Sequence, residues 1–263
     1  MTPLAVDHRG HGPLAVVMLH GIGGGKTLWD DAHSGTLAAL ASAGYTALAM
    51  DLPGYGASAA PAEDSIAGMA RAVDDTLVAL GVQDAALVGH SMGGMVALEM
   101  ALSCLGRVRG LVLACTSAAF GPPGGDWQRA FLRDRLGVLE AAGSMRAMAQ
   151  SLVPTLLGDA PRAEAAEQAV EVMSRVPEAT YRRALQALAG FDRRAGLAQV
   201  AVPALCLAAG RDRTAPPEVL SRMAARLPHG EYAVVEGAGH LGPVERPGEF
   251  NARILQFLAA RLT

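Results

Sequence analysis

Little in this chain points to a nucleic acid, a membrane or a metal. Aromatic residues make up 4% of its 263 positions, lysine occurs once, at Lys26, and there are three cysteines. A net charge of −3 with no basic cluster offers a polyanion nothing to bind, which argues against nucleic acids and anionic lipid surfaces as partners. No run of about 18 apolar residues occurs, so no membrane-crossing helix is expected. The opening segment, MTPLAVDHRGHG, has no charged stretch leading into an apolar one. No secretory leader is read there, and the expected location is the cytoplasm. Cys104, Cys115 and Cys206 are odd in number, widely spaced and set in apolar runs, the pattern of buried reduced thiols rather than of a disulfide framework or a zinc site. His8, His11, His33 and His229 read as surface or loop residues, so no metal is expected.

What the chain does have is apolar mass. Hydrophobic residues make up 51% against 18% charged, and the length suits one large domain with its own core. Short apolar runs bounded by glycine or proline recur at Val16–His20, Tyr45–Asp51, Ala85–His90, Gly110–Cys115, Ala204–Ala209 and Glu231–Gly237, each read as a buried strand. Helical periodicity separates them, as in Ile66, Met69, Ala70, Val73, Leu77 and Leu80, with Asp64 or Ser65 as the cap and Gly81 as the stop. Such alternation predicts a mainly parallel sheet with helices on both faces, whose ligands bind at the carboxyl ends of the strands. From Ser117 to about Val200 the rhythm breaks into helix-like stretches, Gln128–Gln150, Arg162–Arg175 and Glu178–Leu188. The expected organisation is a core of residues 1–116 and 201–263, interrupted by a helical cap over residues 117–200.

Gly89-His90-Ser91-Met92-Gly93-Gly94 follows one of these strands and opens a helical run, Met95–Leu102. A G-x-S-x-G turn is weak evidence by itself, since chance gives about 0.15 matches in a chain this rich in glycine. Its position between strand and helix is much stronger evidence, because there the serine oxygen stands at a strand end over a helix N-terminus. The free N–H of Met92 would stabilise negative charge at that point. A serine hydroxyl needs a base, and the base an orienting carboxylate. His240, in Ala238-Gly239-His240, and Asp212, in Gly210-Arg211-Asp212, each follow a strand on the same sheet edge, and the order Ser91, Asp212, His240 suits this arrangement. The alternative place for the acid, after the preceding strand, reads Ala114-Cys115-Thr116-Ser117 and offers no carboxylate. The second oxyanion donor is expected on His20-Gly21-Ile22-Gly23-Gly24-Gly25, with Ile22 preferred and Gly23 the alternative.

These segments, together with Asp51-Leu52-Pro53-Gly54-Tyr55-Gly56-Ala57-Ser58 and Glu245-Arg246-Pro247, resemble the α/β-hydrolase superfamily, and within it the capped esterase and 3-oxoadipate enol-lactonase branch. The resemblance covers nearly the whole chain outside the cap. It implies the α/β-hydrolase fold, the three roles just given and no cofactor. Two departures stand out: the segment before Val16 is short for a first antiparallel strand, and the cap has no motif that points to one substrate. The implied partner is a small ester or lactone. Carbon–carbon bond hydrolases, thioesterases and perhydrolases use the same three residues, and a ligand-sensing relative would keep the pocket without the chemistry.

Competing readings are weaker. Gly21–Thr27 ends in Gly-Lys-Thr like a phosphate loop, but that pattern needs glycine six residues before the lysine, where this chain has His20. His20 and His90 read as structural residues at strand ends, and Glu245 as a helix-start or salt-bridge residue. Trp127 and Phe131, four apart at the cap entrance, are candidates for the pocket wall or for packing inside the cap. Arg129, Arg133 and Arg135 are candidates for a substrate carboxylate or for a solvated helix face.

Overall fold

The computed structural model describes residues 2–29, 35–103, 106–121 and 125–262. Cys104, His33 and the side chain of Trp127 lie outside that description. Seven strands form one sheet: β1 (Val6–Arg9), β2 (Ala15–Leu19), β3 (Thr46–Met50), β4 (Ala85–His90), β5 (Val108–Ala114), β6 (Ala204–Ala209) and β7 (Gly230–Val235). They lie in the order β1-β3-β2-β4-β5-β6-β7. Among the described residues only β1 runs antiparallel in this sheet, pairing Val6 with Met50 at the edge. This is the α/β-hydrolase fold predicted from the sequence.

Alternate residues of each central strand serve opposite faces, as the period of two requires. Val17 and Leu19 join a core with α2 (Ile66–Ala79), α3 (Met92–Leu102) and α8 (Pro217–Ala224). Val16 and Met18 join the other, with α1 (Thr36–Ser42) and α10 (Pro247–Arg261), through Leu37, Leu40, Phe250 and Phe257. Both faces are covered, which is why the strand sequences are continuously apolar rather than alternating.

The predicted bounds of β4 and β6 match the observed ones to the residue. The strand β1 was not legible: Val6-Asp7-His8-Arg9 lies at an edge and has no apolar face to display. The stretch Gln128–Gln150, expected as one helix, is two. α4 (Asp126–Ala142) ends at Gly143, whose φ of +69° stops it, and α5 (Met145–Leu156) starts at Ser144, whose hydroxyl accepts the Ala147 N–H at 3.2 Å. The helices α6 (Ala165–Ser174) and α7 (Glu178–Ala189) complete the helical stretch between β5 and β6, and α9 (Gly242–Glu245) follows β7. The buried thiols Cys115 and Cys206 are free, as expected. No described helix is long and apolar enough to cross a membrane.

The topology also selects where a site can form. The strands β2 and β4 are hydrogen-bonded neighbours, yet the chain leaves β2 toward β3 and β4 toward β5, in opposite directions along the sheet. The loops after β2 and β4 therefore diverge and leave a crevice between them at the strand ends.

Of the two candidate caps for α2, the structure selects Ser65. Its backbone is extended and its hydroxyl accepts the Gly68 N–H at 2.9 Å. Ser65→Ala should therefore lower the unfolding free energy by about 1 kcal/mol, and Ser65→Thr should retain most of it. Urea denaturation with an unchanged slope and a lower midpoint is the expected result; superimposable curves for wild type and Ser65→Ala would remove the cap's role.

Candidate active site

Ser91 sits between β4 and α3 with φ of 53° and ψ of −117°, a conformation costly for any residue with a Cβ. Its neighbours hold it there. The Ser91 N–H donates to Ala114 O at 2.9 Å, the Thr116 hydroxyl donates to Ser91 O at 2.6 Å, and the Gly94 N–H reaches the same carbonyl at 2.9 Å. The turn is so tight that a Cβ on Gly89 would lie 2.3 Å from Gly93 O, and one on Gly93 would lie 2.2 Å from Leu19 O. Only glycine fits at these two positions, which explains the G-x-S-x-G spacing.

Three residues from distant parts of the chain meet here. His240 Nε2 lies 3.0 Å from Ser91 Oγ, and His240 Nδ1 lies 2.8 Å from Asp212 Oδ2. A carboxylate only accepts, so Nδ1 carries the proton and Nε2 is left to accept from the serine hydroxyl. The other oxygen of Asp212 accepts the N–H groups of Thr214 at 2.8 Å and Ala215 at 2.9 Å, which fixes the carboxylate in place.

The loop after β2 closes the other side. A Cβ on Gly21 would stand 3.1 Å from Ser91 Cβ, so this loop passes directly beside the serine. His20 and Tyr55 hold it. His20 Nδ1 donates to Gly21 O at 2.8 Å and its Nε2 accepts the Leu52 N–H at 3.0 Å, while the Tyr55 hydroxyl donates to Ile22 O at 2.9 Å. With both carbonyls held, the peptide planes that orient the following N–H groups are set. Ile22 and Gly23, together with Ser91 and His240, line a cavity of about 760 Å³. Met92 is fully buried at the first position of α3.

The phosphate-loop reading fails on contacts. The Lys26 ammonium pairs with Asp7 at 2.5 Å, and the Lys26 N–H donates to Asp51 Oδ1 at 2.8 Å, so carboxylates already occupy that part of the loop.

The two histidines read as structural are so. Burial holds His20 below the ordinary imidazole range, and burial together with the nearby His240 ring brings His90 down to about 4. His90 Nε2 donates to His240 O at 2.7 Å and so supports the loop that carries His240.

Glu245 does more than its sequence position suggested. Its carboxylate is buried and accepts the Gly158 N–H at 2.7 Å and the Gly239 N–H at 3.0 Å, joining the helical insertion to the loop of His240. Burial raises its pKa, and those N–H groups oppose the rise. A lone acid among Leu241, Pro243 and Val244 was the available signal. Thr116 and Tyr55 were not singled out from sequence; their hydroxyls act on backbone carbonyls, which leaves no side-chain pattern to find. Phe131 lines the cavity and also packs edge-on against Phe120 at 4.9 Å.

A mainly parallel sheet carrying a half-buried serine on a strained turn, with a histidine and a carboxylate behind it, defines a hydrolase of the α/β class. The chain belongs to the alpha/beta hydrolase family, whose model matches residues 16–253. It is 34% identical to a Variovorax paradoxus protein provisionally named carbamate hydrolase RutD, with 97% of each chain covered. It is 30% identical to the 2-hydroxy-6-oxononadienedioate/2-hydroxy-6-oxononatrienedioate hydrolase of Burkholderia vietnamiensis, over 98% of this chain and 92% of that one. Among solved structures, a thermophilic esterase from Thermogutta terrifontis, with malate bound, superimposes with a TM-score of 0.87 at 26% identity, covering 98% of this chain and 93% of that one.

The depressed basicity of His90 has a measurable consequence. The unfolded chain takes up a proton near the ordinary value of 6.5 while native His90 resists down to about 4, so acidification across that window favours unfolding. His90→Gln keeps a donor for His240 O but cannot charge. It should flatten the fall in stability between about pH 6.5 and 4 by roughly one proton's worth of slope. Urea-unfolding series at stepped pH test this, and parallel slopes for the two proteins would refute it.

Proposed function

We propose that this hydrolase cleaves a carboxylic ester of a small substrate through an acyl-enzyme. The observation that carries the reading is the continuous hydrogen-bond chain from Asp212 Oδ2 through His240 to Ser91 Oγ, at 2.8 and 3.0 Å, opening on an apolar chamber. In this reading His240 takes the Ser91 proton as Oγ attacks the carbonyl carbon. Asp212 holds the ring in its Nδ1–H tautomer and stabilises the imidazolium. The negative charge that develops on the carbonyl oxygen is met by the N–H groups of Met92 and Ile22, the latter on the loop held by Tyr55 and His20, with Gly23 as the alternative donor. The alcohol leaves with the proton from His240, and water activated by the same ring releases the acid. These steps call for no cofactor or metal.

The insertion serves as a cap in this scheme, dividing the chain into core segments 1–116 and 201–263 and a cap of residues 117–200. Its helices α4, α5, α6 and α7 contribute Phe131, Leu152, Met173 and Tyr181 to the chamber wall. The esterase relative at 26% identity supports an ester substrate. A second reading, hydrolysis of a carbamate or a carbon–carbon bond, is favoured by the names of the two sequence relatives and uses the same three residues. An enol-lactone would be opened by the same attack on a cyclic ester.

Covalent labelling by a fluorophosphonate tests the nucleophile. Wild type should label at Ser91, Ser91→Ala should not label, and its turnover of p-nitrophenyl esters should fall by about 10⁵- to 10⁶-fold. Asp212→Asn should cost about 10⁴-fold in kcat with the fold intact. An unlabelled wild type, or a Ser91→Ala protein of full activity, would refute the mechanism. A panel of short-chain esters, lactones, carbamates and vinylogous diketones then ranks the substrate classes.

A further inference from the structure

The chamber wall also carries charge that the proposed bond cleavage does not use. Around it the lining is apolar and aromatic, with Phe120, Phe131, Tyr181 and Leu185. Among them stands Arg135 of α4, half-buried, its guanidinium carbon 5.0 Å from the centroid of the Phe131 ring. Several arginines elsewhere in the chain find carboxylates. Arg129, on the same helix, pairs with Asp126 at 2.6 Å, Arg182 of α7 with Glu178 at 2.9 Å, and Arg193 with the buried Glu99 at 2.6 Å. Arg135 has no carboxylate partner among the described residues. Arg133, the third arginine of this group, is exposed on the helix. Arg213 also lines the cavity, beside Asp212, but it is exposed and solvent screens its charge.

A guanidinium partly withdrawn from water in an apolar wall loses hydration, and stacking on an aromatic face returns only part of it. Stacking on Phe131 also orients the group. It limits the rotation of a long side chain and leaves the N–H edges in the plane of the fork, the edges that a carboxylate meets in two parallel hydrogen bonds.

Building on the serine-hydrolase reading above, we propose that Arg135 is a specificity-determining residue, and that the substrate carries a carboxylate, separated from the scissile bond by an apolar linker, which Arg135 binds at the chamber wall. The linker follows from the lining: the chamber that holds Ser91 and Arg135 is walled largely by leucine, methionine and phenylalanine side chains, which favour methylene or ring carbons over polar groups. One half-buried cation calls for a singly charged anion, which makes a carboxylate a better match than a phosphate dianion.

Two substrate pairs, each differing in one charge, test this: p-nitrophenyl hydrogen glutarate against p-nitrophenyl valerate, with the charge on the acyl side, and 4-acetoxybenzoate against its methyl ester, with the charge on the leaving group. Wild type should favour the anionic member of at least one pair by about tenfold or more in kcat/KM. Arg135→Gln should bring that ratio close to one by slowing the anionic member alone, Arg135→Lys should keep part of the preference, and Arg133→Gln should leave both rates unchanged. Turnover of the neutral ester shows that each variant is folded. Equal rates for both members of both pairs in wild type, a preference that survives Arg135→Gln, or a loss that falls equally on neutral and anionic esters would each overturn the proposal. Fluorophosphonate labelling separates the two levels of inference. A wild type that labels at Ser91 but shows no charge preference disproves the role of Arg135 alone, whereas one that fails to label disproves the hydrolase mechanism and this proposal with it.

Discussion

The structure turns on one backbone conformation, the left-handed φ of Ser91 at the point where a strand becomes a helix. A residue with a Cβ is held there only because its surroundings leave no alternative. The Ser91 N–H is taken by Ala114 of the neighbouring strand, its carbonyl by Thr116 and the first turn of α3, and the flanking Gly89 and Gly93 are packed against the backbones of Gly93 and Leu19. The next strand end repeats the device, for Cys115 also has positive φ, 48°, and its N–H donates to Leu207 O of β6 at 3.0 Å. The sheet thus imposes strain at successive strand ends, and the helix that begins at Met92 is placed with its N-terminus at the serine.

Charge at the site is controlled by what is kept neutral as much as by what is charged. Two imidazoles besides His240, those of His20 and His90, stand at the ends of the neighbouring strands β2 and β4, and burial holds both below the ordinary imidazole range. Neutral His20 can donate from one nitrogen and accept at the other, which is what the opposed Gly21 carbonyl and Leu52 N–H require. Neutral His90 donates to the carbonyl of His240. Had either been charged, it would have opposed a positive charge on His240, the charge that the proposed mechanism develops. The nearest formal charge to His240 is instead the Asp212 carboxylate, held on its far side.

The sheet was legible because its strands are short, apolar throughout and bounded by glycine or proline, and because a parallel sheet buried on both faces permits little else. The edge strand β1 was not, since edge residues escape that constraint. The three residues of the hydrogen-bond chain were legible for a related reason: each follows a recognisable strand, and strand ends on one edge of a parallel sheet converge. The insertion was read only coarsely. Amphipathic helices display which side is apolar, but an apolar side buried against protein and one lining a cavity have the same periodicity. Arg129, Arg133 and Arg135 show the limit. They lie within two turns of one helix and look alike in sequence, yet one is ion-paired, one is exposed and one stands in the chamber wall.

The insertion and the histidine are not independent parts. The His240 N–H donates to Leu156 O at the end of α5 at 2.8 Å, and the Asp159 N–H donates to Gly237 O at 2.7 Å. The Glu245 carboxylate spans the same junction, receiving Gly158 from one side and Gly239 from the other. A buried acid serving two backbone donors costs more to leave unsatisfied than to keep, so the two segments are bound to move together. The segment that shapes the chamber wall is therefore also one of the supports that hold the imidazole 3.0 Å from the serine. Remodelling the α4 and α7 faces, which carry Phe131, Arg135 and Tyr181, leaves this junction untouched, whereas changes around Leu156–Asp159 reach the hydrogen-bond chain itself. Specificity in this fold is consequently free to vary on one side of the chamber and constrained by chemistry on the other.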